Sequence, residues 1–266
     1  DNFSDNFKFS AKFNVTAIKN EVVEVSGDGE FLEGGGFGIS QPAISRMEAG
    51  YPLGYFVGYK TDGIFQNQSE IDNAAVGEVA PQPGDFRFVD QNGDGVIDLD
   101  DRVNLGNPLP ATTMGLNISF DYKNWDFAAY AFASLGNEIV RNYERNQQLV
   151  NKPNFYLNRW TGEGTSNTDP RVSIGPSANT VFSDFYVEDG SFVRLQNAQL
   201  GYTFSNKDDS KLQKFRIYIS GNNIFTLTEY SGYDPTAGTG APIGGGIDQG
   251  FYPSAATYLL GVNLKF

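Results

Sequence analysis

Six stretches of the chain alternate between apolar and polar residues with a period of two. Such alternation is typical of a β-strand whose two faces meet different surroundings. The stretches are 10 to 15 residues long. They exceed the ~5–6 residues of an average globular strand and suit a tilted membrane-spanning strand, which needs ~9–11. They are residues 7–16, 113–122, 125–135, 191–204, 214–228 and 257–266.

The two faces differ in chemistry along most of these stretches. In the last stretch, Tyr258 and Phe266 fall on an apolar face, whereas Asn263 and Lys265 fall on the opposite one. Polar faces of this kind suit a wet lumen, and apolar faces with aromatic residues near their ends suit a lipid boundary. Residues 125–135 are apolar on both faces, so the sequence leaves their sides unassigned.

The connections between the predicted strands alternate strictly between short and long. Short links lie at Lys123–Asn124 and 205–213. The predicted strands lie near residues 5–16, 112–122, 125–135, 190–204, 213–228 and 256–266, and the long connections are 17–111, 136–189 and 229–255. Transmembrane barrels have this asymmetry, with short periplasmic turns and long extracellular loops. The pattern predicts an all-β, antiparallel transmembrane β-barrel, and a soluble β-sandwich with long loops is the alternative.

The number of predicted strands is too small for a closed barrel. Closed membrane barrels begin at about eight strands, and the sequence predicts six. Six strands with open edges would leave backbone N–H and C=O groups unpaired in lipid, at several kcal/mol each. We therefore expect either a fold that is not a barrel or one part of a larger barrel.

Composition excludes several classes of function. The chain has no Cys and no His, so it offers neither thiolate nor imidazole to a metal or to catalysis. Its formal net charge is −13 without a long cluster of Lys or Arg, which argues against nucleic acid as a partner. No pair of carboxylates has a spacing that marks a hydrolase, so we predict no enzyme activity.

Residues 90–101, DQNGDGVIDLDD, have nearly the spacing of an EF-hand calcium loop. Asp101 departs from the pattern, because a longer Glu normally binds there with both oxygens, and flanking helices are not expected. The alternative is an Asx-rich turn in which these side chains bond their own backbone without metal. The predicted Ca²⁺ ligands are Asp90, Asn92, Asp94, the carbonyl of Val96, Asp98 and Asp101.

Two stretches of the long connections place aromatic and acidic side chains together. They are NRWTGEG at 158–164 and EYSGYDP at 229–235. Tyr, Trp and Asp in combination suit contact with a sugar or a peptide, and the alternative is that these side chains pack the loops or mark the membrane interface. The candidate ligand-contact residues are Trp160, Tyr230, Tyr233 and Asp234.

Several segments, in order along nearly the whole chain, resemble the C-terminal part of SusC/RagA-type TonB-dependent outer-membrane transporters. They include GYPLGYFVGYKTDGIFQ at 50–66 and YVEDGSFVRLQNAQLGYTF at 186–204, and the others are 84–132, 216–235 and 257–266. The resemblance implies a plugged barrel of about 22 strands. This chain would supply the last six or so strands, and the plug and the remaining strands would lie outside it.

The same resemblance implies a function. The complete transporter would actively import oligosaccharides or peptides across the outer membrane of a Gram-negative bacterium, powered by TonB through the missing N-terminal part. A SusD-like surface lipoprotein would dock on the long loops, and Tyr258, Leu264 and Phe266 would form a terminal signal for outer-membrane assembly. The alternative function is a calcium-stabilised soluble surface adhesin or carbohydrate-binding module.

Overall fold

A computed structural model describes residues 2–4, 7–26, 30–38, 42–143, 154–205, 214–238, 240 and 242–265. In chain order its strands are β1 (Asn2–Ser4), β2 (Phe7–Ala17), β3 (Phe31–Gly36), β4 (Ala43–Glu48), β5 (Tyr55–Gly58), β6 (Thr61–Ile64), β7 (Phe86–Phe88), β8 (Val103–Gly106), β9 (Thr112–Tyr122), β10 (Trp125–Leu135), β11 (Glu138–Arg141), β12 (Val187–Asp189), β13 (Phe192–Ser205), β14 (Lys214–Thr228), β15 (Ile247–Asp248) and β16 (Thr257–Lys265). Helices are few and short: α1 (Gln68–Asp72), and the 3₁₀ turns Leu99–Asp101, Asn154–Asn158, Ala178–Thr180 and Asp184–Tyr186. No helix among the described residues is long and apolar enough to cross a membrane.

The largest sheet has seven strands in the order β1-β2-β9-β10-β13-β14-β16. Every neighbouring pair is antiparallel, which confirms the predicted all-β, antiparallel fold. Within the described residues, β16 pairs only with β14 and β1 only with β2, so the sheet has two open edges. The second short link, residues 206–213, lies outside the described residues, as does Phe266.

The pairing register keeps the two faces of this sheet chemically distinct. One row across six strands is apolar throughout: Phe9, Phe120, Phe127, Leu200, Ile219 and Leu260. The adjacent row, on the opposite face, is largely polar or small: Lys8, Asp121, Asp126, Gly201, Tyr218 and Gly261. The register therefore assigns the sides of β10, since Phe127 belongs to the apolar face and Asp126 to the polar face.

The register shifts by one residue at Gln196 in β13. Tyr130 of β10 pairs with Asn197, but its neighbour Ala131 pairs with Leu195. Because side chains alternate faces, this β-bulge returns Leu195 to the apolar face, where strict alternation from Leu200 would not place it.

The three long connections fold together instead of lying as separate loops. The first connection (17–111), the second (136–189) and the third (229–255) all contribute to one buried core. Its members are Phe37, Ile44 and Phe56 from the first, Val140, Phe182 and Tyr186 from the second, and Ile247 from the third. A sheet of order β12-β11-β15 also joins the second connection to the third. Burial of these side chains removes apolar surface from water, so each connection stabilises the other two.

Candidate functional site

The predicted calcium loop is held by hydrogen bonds to its own backbone. The backbone N–H groups of Gly93 and Gly95 donate to the two oxygens of Asp90, at 2.7 and 2.9 Å. Asn92 accepts from the N–H of Asp94 at 3.0 Å, and Asp94 accepts from Val96 at 2.9 Å. The bonds accepted by Asn92 and Asp94, each from the N–H two residues on, are Asx turns.

Asp101 closes the loop from inside. It is fully buried, and its carboxylate accepts from the N–H of Gln91 at 2.7 Å and of Asp98 at 2.9 Å. Ile97 is also buried, and its N–H donates to the carbonyl of Val76 at 3.3 Å. Both oxygens of Asp101 therefore already accept backbone hydrogen bonds inside the loop.

No group of three or more acidic side chains stands in metal-holding positions within the described part of the chain. The Asx-turn alternative accounts for the bonds of Asn92 and Asp94, whereas Asp90 accepts from N–H groups three and five residues further along the loop. The predicted calcium site, whose oxygen donors are of the type that Ca²⁺ prefers, stays a prediction.

Two of the candidate contact residues are buried and hold the third connection in place. The Tyr230 hydroxyl donates to Asp248 at 2.6 Å, and burial, together with that carboxylate, raises the pKa of Tyr230 above its usual range. Burial would raise the pKa of Asp234, but hydrogen bonds from Ser254, Thr236 and Arg194 outweigh it and hold that pKa below its usual range. Tyr230 and Asp234 are therefore positioned as internal anchors.

Trp160 and Tyr233 are placed differently from each other. The Trp160 indole N–H donates to the side-chain oxygen of Gln66 at 3.1 Å, and its ring covers Gly84, where a β-carbon would collide with it. Tyr233 is 81% exposed. Tyr252, which no pattern in the sequence indicates as a contact residue, is 92% exposed. Of the four predicted contact residues, Tyr233 is the one freely available to a ligand.

The polar face of the large sheet carries an ion pair that skips a strand. Arg216 of β14 donates to Asp126 of β10 through Nε at 2.9 Å and through Nη2, passing over Gly201 of the intervening β13. A β-carbon at Gly201 would collide with both partners. The Arg216 guanidinium also lies over the ring of Tyr218, 4.8 Å from its centroid. The signal available in the sequence was a glycine inside a strand, which marks close approach.

These features define a class of protein. The large sheet has long antiparallel strands with one apolar and one polar face. The three long connections between those strands pack together around one buried core. That arrangement is typical of a large outer-membrane barrel with structured loops.

The chain is similar to known TonB-dependent receptors. No family model matches it. A TonB-dependent receptor of Formosa agariphila is 33% identical over 275 residues, covering 99% of this chain and 27% of the receptor. The TonB-dependent receptor SusC of Bacteroides thetaiotaomicron is 30% identical over 267 residues, covering 98% of this chain and 24% of SusC.

The solved structures agree with the sequence comparisons. The RagAB peptide importer, in its open-open and closed-closed states, superposes with a TM-score of 0.73 at 21% identity over 99% of this chain and 27–28% of that one. The predicted resemblance to SusC/RagA-type TonB-dependent receptors is thereby confirmed. The chain spans about a quarter of the length of the relatives it matches.

Proposed function

We propose that this chain is a barrel segment of a TonB-dependent outer-membrane importer that takes up oligosaccharides or peptides. The observation that carries the proposal is the similarity to TonB-dependent receptors over 99% of the chain. The apolar face of the seven-stranded sheet would meet lipid, and the polar face would line the lumen. The chemistry is binding and gating, with energy supplied through TonB and no bond broken in the substrate.

The shared core of the three connections supports a role in docking a partner protein as well as in transport. An outer surface of loops that already pack together suits repeated docking, because ordering flexible loops at each encounter would cost conformational entropy. We propose that this surface faces the cell exterior and receives a SusD-like lipoprotein. Tyr233 and Tyr252, both highly exposed on the third connection, are the proposed ligand-contact residues there.

Uptake by the complete transporter tests the proposal. Cells that depend on it are supplied with fluorescent maltooligosaccharides or mixed oligopeptides, with and without a functional TonB system. Accumulation of either substrate only when TonB is active supports import. Equal accumulation in cells lacking the transporter would contradict it.

A matched pair of variants then separates ligand contact from loop structure. Tyr233→Ala and Tyr252→Ala remove exposed rings, and we expect weaker uptake with normal protein levels in the membrane. Leu157→Ala, at another exposed side chain in a different connection, is the control and should leave uptake unchanged.

A further inference from the structure

An apolar cavity of about 370 Å³ lies within the folded connections and is separate from the large sheet. Its volume is within the range of ~300–1,000 Å³ that is typical of binding pockets. Its walls come from the segments around β6 and β7, from residues 75–81, from the end of the predicted calcium loop and from the turn at Ala178–Thr180. Phe65, Phe86 and Ile97 form its buried floor.

The mouth of this cavity exposes aliphatic side chains. Leu99, Val79 and Val76 line the cavity and are also substantially exposed, with Leu99 at 66%. Water-exposed aliphatic groups around a concave apolar surface mark a site for a partner, because their burial releases water. An occupant that reaches the mouth would cover these three side chains as well as the buried floor.

The rim is acidic. Glu78 and Asp98 are the charged residues of the lining, and neither Lys nor Arg belongs to it. Between residues 70 and 101 the chain has nine acidic residues and one basic residue, Arg87, which is paired with Asp62 at 3.0 Å. Burial raises the pKa of Tyr59 in the cavity wall, and the positive charge of Arg102 acts against that increase. The negative charges of Asp101, Asp98 and Glu78 raise the same pKa further. A cationic occupant is favoured, and anionic amphiphiles such as fatty acids or phospholipids are disfavoured.

We propose that this cavity is a docking site for a partner protein that inserts an apolar side chain, aromatic or aliphatic, from a surface loop flanked by Lys or Arg. The apolar side chain fills the cavity, the backbone beside it covers Leu99 and Val79, and the flanking cations face Glu78 and Asp98. The partner would occupy the surface formed by residues 75–99, a site beyond those proposed above for substrate import.

The test uses the complete protein in lipid nanodiscs, because detergent would compete for an apolar cavity. The probe is the sequence Lys-Lys-Trp-Lys-Lys placed in a surface loop of a soluble carrier domain, and binding is measured by fluorescence anisotropy. We expect saturable binding that weakens at least tenfold when the probe Trp becomes Ala or when its four Lys become Glu.

Three variants locate the binding. Ala75→Trp fills the cavity and Glu78→Lys reverses the rim charge, and each should weaken binding of the probe at least tenfold. Glu24→Lys introduces the same charge change at an exposed position outside the lining and should leave binding unchanged. Glu78 is exposed, so its variant keeps the proposal testable if Ala75→Trp does not fold.

Several results would overturn the proposal. They are undiminished binding to both cavity variants, equal binding of the Glu-containing probe, and no binding at probe concentrations up to about 1 mM. Binding of the free pentapeptide but not of the carrier loop would also overturn it, because that result indicates a peptide cargo and not a docked protein.

Discussion

Arg194 of β13 and Asp234 of the third connection form an ion pair at 2.6 Å in which both side chains are buried. Arg194 also donates to Thr226 of β14 at 2.8 Å, and Asp234 accepts from the N–H of Ser254 at 3.0 Å. The pair therefore ties the polar face of the large sheet to both ends of the connection that bears Tyr233 and Tyr252.

Breaking this pair should release the third connection. Removing one partner of a buried pair leaves an uncompensated charge and costs ~3–5 kcal/mol. We expect Asp234→Ala to make residues 229–255 much more sensitive to protease, measured by fragment mapping. Asp62→Ala breaks the exposed Arg87–Asp62 pair, where the expected cost is below ~1 kcal/mol. Equal sensitivity of the two variants would contradict an anchoring role for Asp234.

Acid should weaken the same anchor. The pKa of Asp234 is lowered in the folded protein, so its charge contributes stability that is present above the unfolded value of ~3.9 and is lost as pH falls below it. We expect protection of residues 229–255 to hold from pH 7 to about pH 4 and then to decline. The measurement is pulsed acid exposure followed by proteolysis. Asp234→Asn should flatten this dependence, and an unchanged acid profile in that variant would exclude Asp234 as its source.

Because Arg216 crosses over Gly201, we expect the free-energy costs of substituting Gly201 and the ion pair to be non-additive. Gly201→Ala overpacks the site, which costs ~1–3 kcal/mol, because the new methyl group meets the Arg216–Asp126 pair. In a protein that already carries Asp126→Ala and Arg216→Ala, Gly201→Ala should cost far less. The difference between the two costs is the coupling energy, which we expect to be ~0.5–3 kcal/mol. Urea unfolding of the barrel in lipid vesicles measures this difference. Additive costs would show that Gly201 is not required by the ion pair.

Calcium should stiffen residues 90–101 if the predicted site forms. We expect Ca²⁺ in the millimolar range, roughly that of weak extracellular sites, to protect residues 84–106 from protease. Asp90→Ala and Asp94→Ala should remove the protection, whereas Asp72→Ala, at an exposed acidic residue outside the loop, should keep it. The same cleavage rate with chelator and with Ca²⁺ would identify the loop as an Asx turn alone.

The last strand should tolerate charge on one face only. Leu264 pairs with Phe215 on the apolar face, and Asn263 pairs with Arg216 on the polar face. We expect Leu264→Asp to lower outer-membrane assembly of the complete protein, and deletion of Phe266 to do the same, whereas the Asn263→Asp variant should assemble. The readout is the heat-modifiable band in membrane fractions. Equal assembly of both Asp variants would contradict the lipid-facing assignment.

The sequence by itself determined the existence, type and chemistry of the large sheet. Alternation of apolar and polar residues has the same period as the side chains of a strand, so it identifies strands and faces without tertiary information. The same argument failed for β10, because Ala and Phe occupy both of its faces. Its sides were decided by register with β9 and β13, as was the one-residue shift at Gln196.

Only the tertiary structure decided what the long connections do. Their core joins side chains as far apart in the chain as Phe37 and Ile247, and such contacts have no periodic signature. Tyr233 and Asp234 are adjacent in the sequence and both are predicted ligand-contact residues. In the structure Asp234 is buried against Arg194, whereas Tyr233 is exposed. Local sequence specifies the direction and chemistry of a strand, whereas burial depends on which distant segment packs against each side chain.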